Sequence, residues 1–89
     1  LDEVRKEIEK LRREIDQVDE KIVRSLNERA GLVVKIREAK RKASIPLYDP
    51  QREEEIFEHL FRVNKGPLFD DDIKRIYEEI LEVMKSLED

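Results

Sequence analysis

The stretch Ile15–Lys40, IDQVDEKIVRSLNERAGLVVKIREAK, decides the fold. It holds no proline and a single glycine, Gly31, and with the residues before it reads as one helix of roughly forty residues, ~60 Å long at ~1.5 Å per residue. A compact domain of 89 residues has a radius of gyration of only ~12 Å. One such chain does not cover both halves of so long a rod, so a second chain is expected over the excess.

Through its first half the helix carries apolar residues at spacings of three and four: Val4, Ile8, Leu11, Ile15, Val18 and Ile22. That is the pattern of a buried seam. The same spacing then brings Ser25, Arg29, Leu32 or Val33, Ile36, and Ala39 or Lys40, so two cations fall on the line expected to be inside. Arg29 and Lys40 are eleven residues apart. At ~100° per residue they lie three turns apart and within ~20° of one line, with Val33 and Ile36 between them. Either alone reads as a long basic side chain snorkelling from the edge of a core. For two on one face that plain reading is weaker.

Composition narrows the function classes. With 23 acidic and 19 basic residues the net charge is −4, and 47% of the chain is charged, which suits one small helical domain spanning residues 1–89. An acidic balance with five aromatic residues and one short basic cluster, Lys40-Arg41-Lys42, argues against nucleic acid as a partner. The chain lacks cysteine, which excludes disulfides, thiolate metal sites and cysteine nucleophiles, and the single His59 supplies no metal cluster. No apolar run is long enough to span a membrane, so no membrane partner and a cytoplasmic location are expected. The first residue is Leu1 rather than Met, so the chain is expected to be a trimmed or excised piece.

In chain order, the long helix runs from Leu1 to about Lys42, with Asp16, Asp19, Glu20, Lys21 and Arg24 as solvated charges at helical spacing. Ala43, Ser44, Ile45 and Pro46 stop it, since proline has no amide to donate. Asp49-Pro50 reads as N-cap and first helical residue of a second helix that buries Ile56, Phe57, Leu60, Phe61 and Val63. Asn64 to Pro67 end it. A third helix opens on Asp70, Asp71 and Asp72, suited to the positive end of a helix dipole, and is expected to turn Ile73, Ile76, Tyr77, Ile80, Val83 and Leu87 inward. A second stripe on it reads Tyr77, Leu81, Met84 and Glu88. No strand is expected, so the fold class is all-α, with one long and two shorter helices.

The segments LRREID, LNERAGLVVKIREAK and YDPQREEEI, with Arg12, Arg29, Lys40, Asp49, Arg52 and Glu53 in ordered spacing, resemble the all-helical chorismate mutase family over essentially the whole chain. This family includes free-standing enzymes and domains fused to other shikimate-pathway enzymes. The resemblance implies an intertwined helical homodimer with two active sites, each completed by an arginine of the other chain. Helix arithmetic reaches part of this alone. Arg12 precedes Arg29 by seventeen residues, ~25 Å along the axis and turned by ~100°, so the two do not serve one pocket within a straight helix. An antiparallel twin crossing near residues 20 to 26 brings Arg12 of one chain beside positions 28 to 40 of the other.

The implied reaction is the rearrangement of the dianion chorismate to prephenate. An ether C–O bond breaks as a C–C bond forms within one molecule, so no cofactor or metal is expected. The tasks are to hold the folded conformer and to stabilise negative charge growing on the ether oxygen. By resemblance, Arg29 and the partner's Arg12 clamp the two carboxylates, for which guanidinium forks are suited. Lys40 donates to the ether oxygen and a carboxylate, Glu53 binds the ring hydroxyl, and Asp49 and Arg52 position that end of the site. Asp49 also reads as a plain helix cap, and the two roles are compatible.

Two positions depart from the family pattern. Where the family commonly has a small polar residue and a glutamine four apart in the last helix, Met84 and Glu88 align. Met84 offers no hydroxyl donor. Glu88 donates to the ether oxygen only when protonated: two nearby substrate carboxylates raise its pKa and Lys40 lowers it. Activity is then expected to fall as pH rises. The plainer reading of Glu88 is a frayed terminal charge. Three other functions remain open at this point: an isochorismate-pyruvate lyase of the same fold, a regulatory or dimerisation module of a fused or associated pathway enzyme, and a helical interaction domain without a pocket.

Overall fold

The structure is a computed structural model, and it describes residues 1–87. Three helices follow in order, α1 (Asp2–Lys42), α2 (Pro50–Val63) and α3 (Asp70–Lys85), with no strand among the described residues. The fold class is the one expected. The chain divides into two units, Leu1–Leu32 and Val33–Asp89.

Helix α1 is a single element of 41 residues with Asp2 and Glu3 in its first turn and Lys40, Arg41 and Lys42 in its last, each sign at the end of the dipole that favours it. Proline does not end it directly. The Ile45 amide donates to the Lys40 carbonyl at 2.8 Å and the Ser44 amide to Arg41 at 3.2 Å, while Ser44 takes a left-handed φ of 55°. This is a Schellman stop, in which a left-handed residue lets the chain satisfy the last free carbonyls. Pro46 then prevents any continuation.

Within Leu1–Leu32, the six seam residues Val4, Ile8, Leu11, Ile15, Val18 and Ile22 are between 41 and 59% exposed. The seam is real as a pattern, but one chain does not bury it. Leu26, Arg29 and Ala30 are half-buried.

Within Val33–Asp89, α2 packs against α3. The Asp49 Oδ1 accepts from the Arg52 amide at 3.1 Å and Pro50 occupies the first turn, so α2 starts as its sequence dictates. Its half-buried face is Ile56, Phe57, Leu60 and Phe61, with the two phenyl rings 6.2 Å apart between centroids. Asn64 organises the turn to α3: its Nδ2 donates to the Leu68 carbonyl at 3.0 Å and to Asp70 Oδ1 at 2.9 Å, and its Oδ1 accepts from the Gly66 amide at 3.1 Å. Gly66 turns at a φ of +73°, a conformation glycine adopts without a Cβ penalty.

Helix α3 opens with the Phe69 amide donating to Asp72 Oδ2 at 3.0 Å. Its inward face corrects the expectation. Ile73, Tyr77, Ile80 and Leu81 are half-buried and Met84 is buried, whereas Ile76 and Val83, expected inside, are 49 and 53% exposed. Val63 on α2 is likewise exposed. Of the six residues expected inside, Ile73, Tyr77, Ile80 and Leu87 are thus half-buried, and Leu81 and Met84 of the adjoining stripe take the place of Ile76 and Val83.

Candidate active site

Lys40 sits in the last turn of α1, half-buried, and its Nζ donates to the Leu47 carbonyl at 3.4 Å. One of three ammonium donors is thus turned toward the chain segment leading into α2, and two remain for a ligand. The position follows from the helix stop, because the Schellman turn folds residues 43 to 47 back past the end of α1.

The second group lies at the start of α2. Asp49, Arg52 and Glu53 are the N-cap and two residues of the first turn, so a local capping rule gathers them at one helix end. Asp49 is committed to the cap through the Arg52 amide. The Arg52 guanidinium is exposed and lies 3.6 Å from Glu55 one turn along α2. Glu53 is half-buried, and its Oε1 lies 3.4 Å from Lys85 Nζ on α3. Met84, the residue before Lys85, is 7% exposed and is the buried hydrophobic of this unit.

The structure therefore brings Asp49, Arg52 and Glu53 together and places Lys40, Met84 and these three in Val33–Asp89. Arg12 and Arg29 belong to Leu1–Leu32. Arg29 is half-buried, and Arg12 is exposed, with its Nη1 donating to Glu9 Oε1 at 3.2 Å. Glu88 lies outside the described residues. Open surface depressions on the Leu1–Leu32 part of α1, beside Arg5 and Arg13 and beside Asp19 and Arg24, involve none of these candidates.

Two residues that the structure marks out had no sequence signal read for them. Lys85 is one, and only the pairing of α2 with α3 reveals it. Arg37 is the other: it is half-buried, and its Nε is buried without a hydrogen-bond partner among the described residues. A signal existed for Arg37, since at ~100° per residue it lies only ~40° from Val33 on α1. Among the described residues no group of His, Cys, Asp or Glu side chains is arranged to hold a metal, and no helix is long and apolar enough to cross a membrane.

Comparison with known proteins gives this arrangement its relatives. The chain is 48% identical over 86 residues to the bifunctional chorismate mutase/prephenate dehydratase of Aquifex aeolicus, a match covering 92% of this chain and 24% of that protein. It is 34% identical over 85 residues to the chorismate mutase of Methanocaldococcus jannaschii, covering 91% of this chain and 86% of that one. The chain thus spans about a quarter of the bifunctional relatives it matches and most of the M. jannaschii protein. Among solved structures, form II of the chorismate mutase of Thermus thermophilus matches with a TM-score of 0.87 at 39% identity, covering 90% of this chain and 91% of that one. The family model for chorismate mutase type II matches residues 11–89, and the chain belongs to that family.

Proposed function

We propose that this chain rearranges chorismate to prephenate as a cytoplasmic homodimer, with residues 1–89 forming one mutase domain. The observation that carries the reading is the match to the chorismate mutase of Methanocaldococcus jannaschii, which is 34% identical to this chain over 85 residues and is covered over 86% of its length. The chemistry fits the residues. Arg29 and Arg12 of the partner subunit grip the two carboxylates and hold the reactive conformer, an orientational contribution. Lys40 donates to the ether oxygen as it gains negative charge, and a pre-aimed ammonium needs no rearrangement at that moment. Glu53 accepts from the ring hydroxyl, Asp49 and Arg52 position it, Met84 lines the site, and a protonated Glu88 gives the ether oxygen a second donor. No nucleophile or redox group has a part in this rearrangement.

The homodimer is supported by the exposed seam of α1. Burying the exposed halves of its six apolar side chains contributes about 1 kcal/mol each, roughly 6 kcal/mol per chain, toward offsetting the cost of association. The bifunctional relatives favour a second reading alongside the first, that this mutase domain works within or beside a larger pathway enzyme.

The test is conversion of chorismate to prephenate by the chain at pH 5 and pH 7.5. Lys40→Ala is expected to lower kcat at least about a hundredfold, as loss of a transition-state donor does. Wild-type activity is expected to be higher at pH 5, and Glu88→Gln to flatten that dependence. Turnover of isochorismate to pyruvate in place of chorismate would assign the lyase activity instead. An active Lys40→Ala variant would overturn the assignment of the ether-oxygen donor.

A further inference from the structure

The Lys85–Glu53 pair is unlike the other ion pairs described. Arg12–Glu9, Arg24–Glu20, Lys42–Glu38 and Arg52–Glu55 each join residues one turn apart on a single helix, and such pairs follow from helix spacing alone. Lys85 Nζ instead reaches Glu53 Oε1 at 3.4 Å from α3 to α2, across thirty-two residues of sequence. Glu53 is also the least exposed acid among them, at 31% against 53 to 69% for the others. Lys85 adjoins Met84, the buried anchor of α3, which fixes the backbone from which the ammonium extends.

A carboxylate turns easily about its last torsion, because such torsions have broad, shallow minima. Holding one oxygen fixes the plane and presents the other in a defined direction. We propose that Lys85 is a positioning residue for the ring-hydroxyl end of the site: its ammonium holds Oε1 of Glu53 so that Oε2 faces the hydroxyl. This rests on the role given to Glu53 above. The ammonium has a second effect of the same sign, since it offsets the repulsion between Glu53 and a substrate that brings two carboxylates of its own.

The experiment is a kinetic cycle on the full chain with chorismate, comparing wild type, Lys85→Met, Lys85→Arg, Glu53→Gln and the double variant Lys85→Met/Glu53→Gln. Lys85→Met is expected to raise KM about three- to tenfold with kcat changed less than about twofold, the split produced by weaker binding of ground and transition state alike. Lys85→Arg should restore most of the loss, and Lys85→Met should cost less than about twofold once Glu53 is already Gln. Wild-type kinetics in Lys85→Met, with Glu53→Gln impaired, would overturn the positioning role and leave Glu53 in place. An undiminished Lys85→Met effect in the Glu53→Gln background would overturn it too, because Lys85 would then act through its own charge. Wild-type kinetics in Glu53→Gln would overturn the reading of Glu53 and the positioning role together.

Discussion

The two units of this chain solve the burial problem differently. Val33–Asp89 makes its own small core, with Ile56, Phe57, Leu60 and Phe61 of α2 facing Ile73, Tyr77, Ile80, Leu81 and Met84 of α3. Leu1–Leu32 makes none: its apolar row is as regular as any core helix and yet exposed from Val4 to Ile22. A helix of this length is stabilised mainly by what its apolar face packs against, not by intrinsic propensity. The difference teaches that half of α1 is built for a surface the chain does not itself supply, and the proposed dimer supplies it.

The largest effect is expected from breaking the first unit. Ile15→Asp sets a carboxylate in the middle of the seam, and a symmetric dimer receives two, at a cost of at least about 4 kcal/mol per dimer. Sedimentation should then report a monomer at concentrations where wild type is a dimer, with activity lost in proportion. A stable Ile15→Asp dimer would place the interface elsewhere. The second unit is probed by Met84→Ala, which removes its buried anchor and should cost about 2 to 4 kcal/mol of stability. Thermal unfolding measures that loss, while the dimer contact through Val4–Ile22 should survive at moderate temperature.

The boundary between the helix and the core gives the smallest effect, with the opposite sign. Ser44 is held at a φ of 55°, where a Cβ is penalised, so Ser44→Gly should stabilise the chain by about 0.5 to 1 kcal/mol, raising the midpoint of chemical unfolding. An unchanged or lowered midpoint would show that the turn is not strained by its serine.

The sequence was most readable where structure depends on neighbours along the chain. Asp49-Pro50 specifies the start of α2 because a cap and a proline act within one turn, and that rule also gathers Asp49, Arg52 and Glu53. The stop after Lys42 was readable in place but not in mechanism, since the left-handed turn at Ser44 leaves no residue-type mark such as glycine. Facing was harder. Periodicity showed that α3 has apolar stripes, but Ile76 and Val83 compete with Leu81 and Met84, and only the docking of α2 decides between them. The same limit hid Lys85: nothing local distinguishes it from other lysines until α2 and α3 pair. Arg29 and Lys40 were readable as cations on an apolar line, whereas Arg12 was named by family resemblance alone, and its proposed meeting with Arg29 calls on a second chain.

That meeting is tested most directly by mixing two variants. Arg12→Ala and Arg29→Ala homodimers should each be nearly inactive, because every site lacks one carboxylate clamp. If the partner's Arg12 completes each site, a mixed dimer has one site with both lesions and one with neither. Unfolding and refolding the two together should then restore roughly a quarter of wild-type chorismate turnover at statistical mixing. If Arg12 instead serves the site of its own chain, every site in the mixture carries one lesion. No recovery from a mixture shown to contain the mixed dimer, with both parents nearly inactive, would contradict the shared active site.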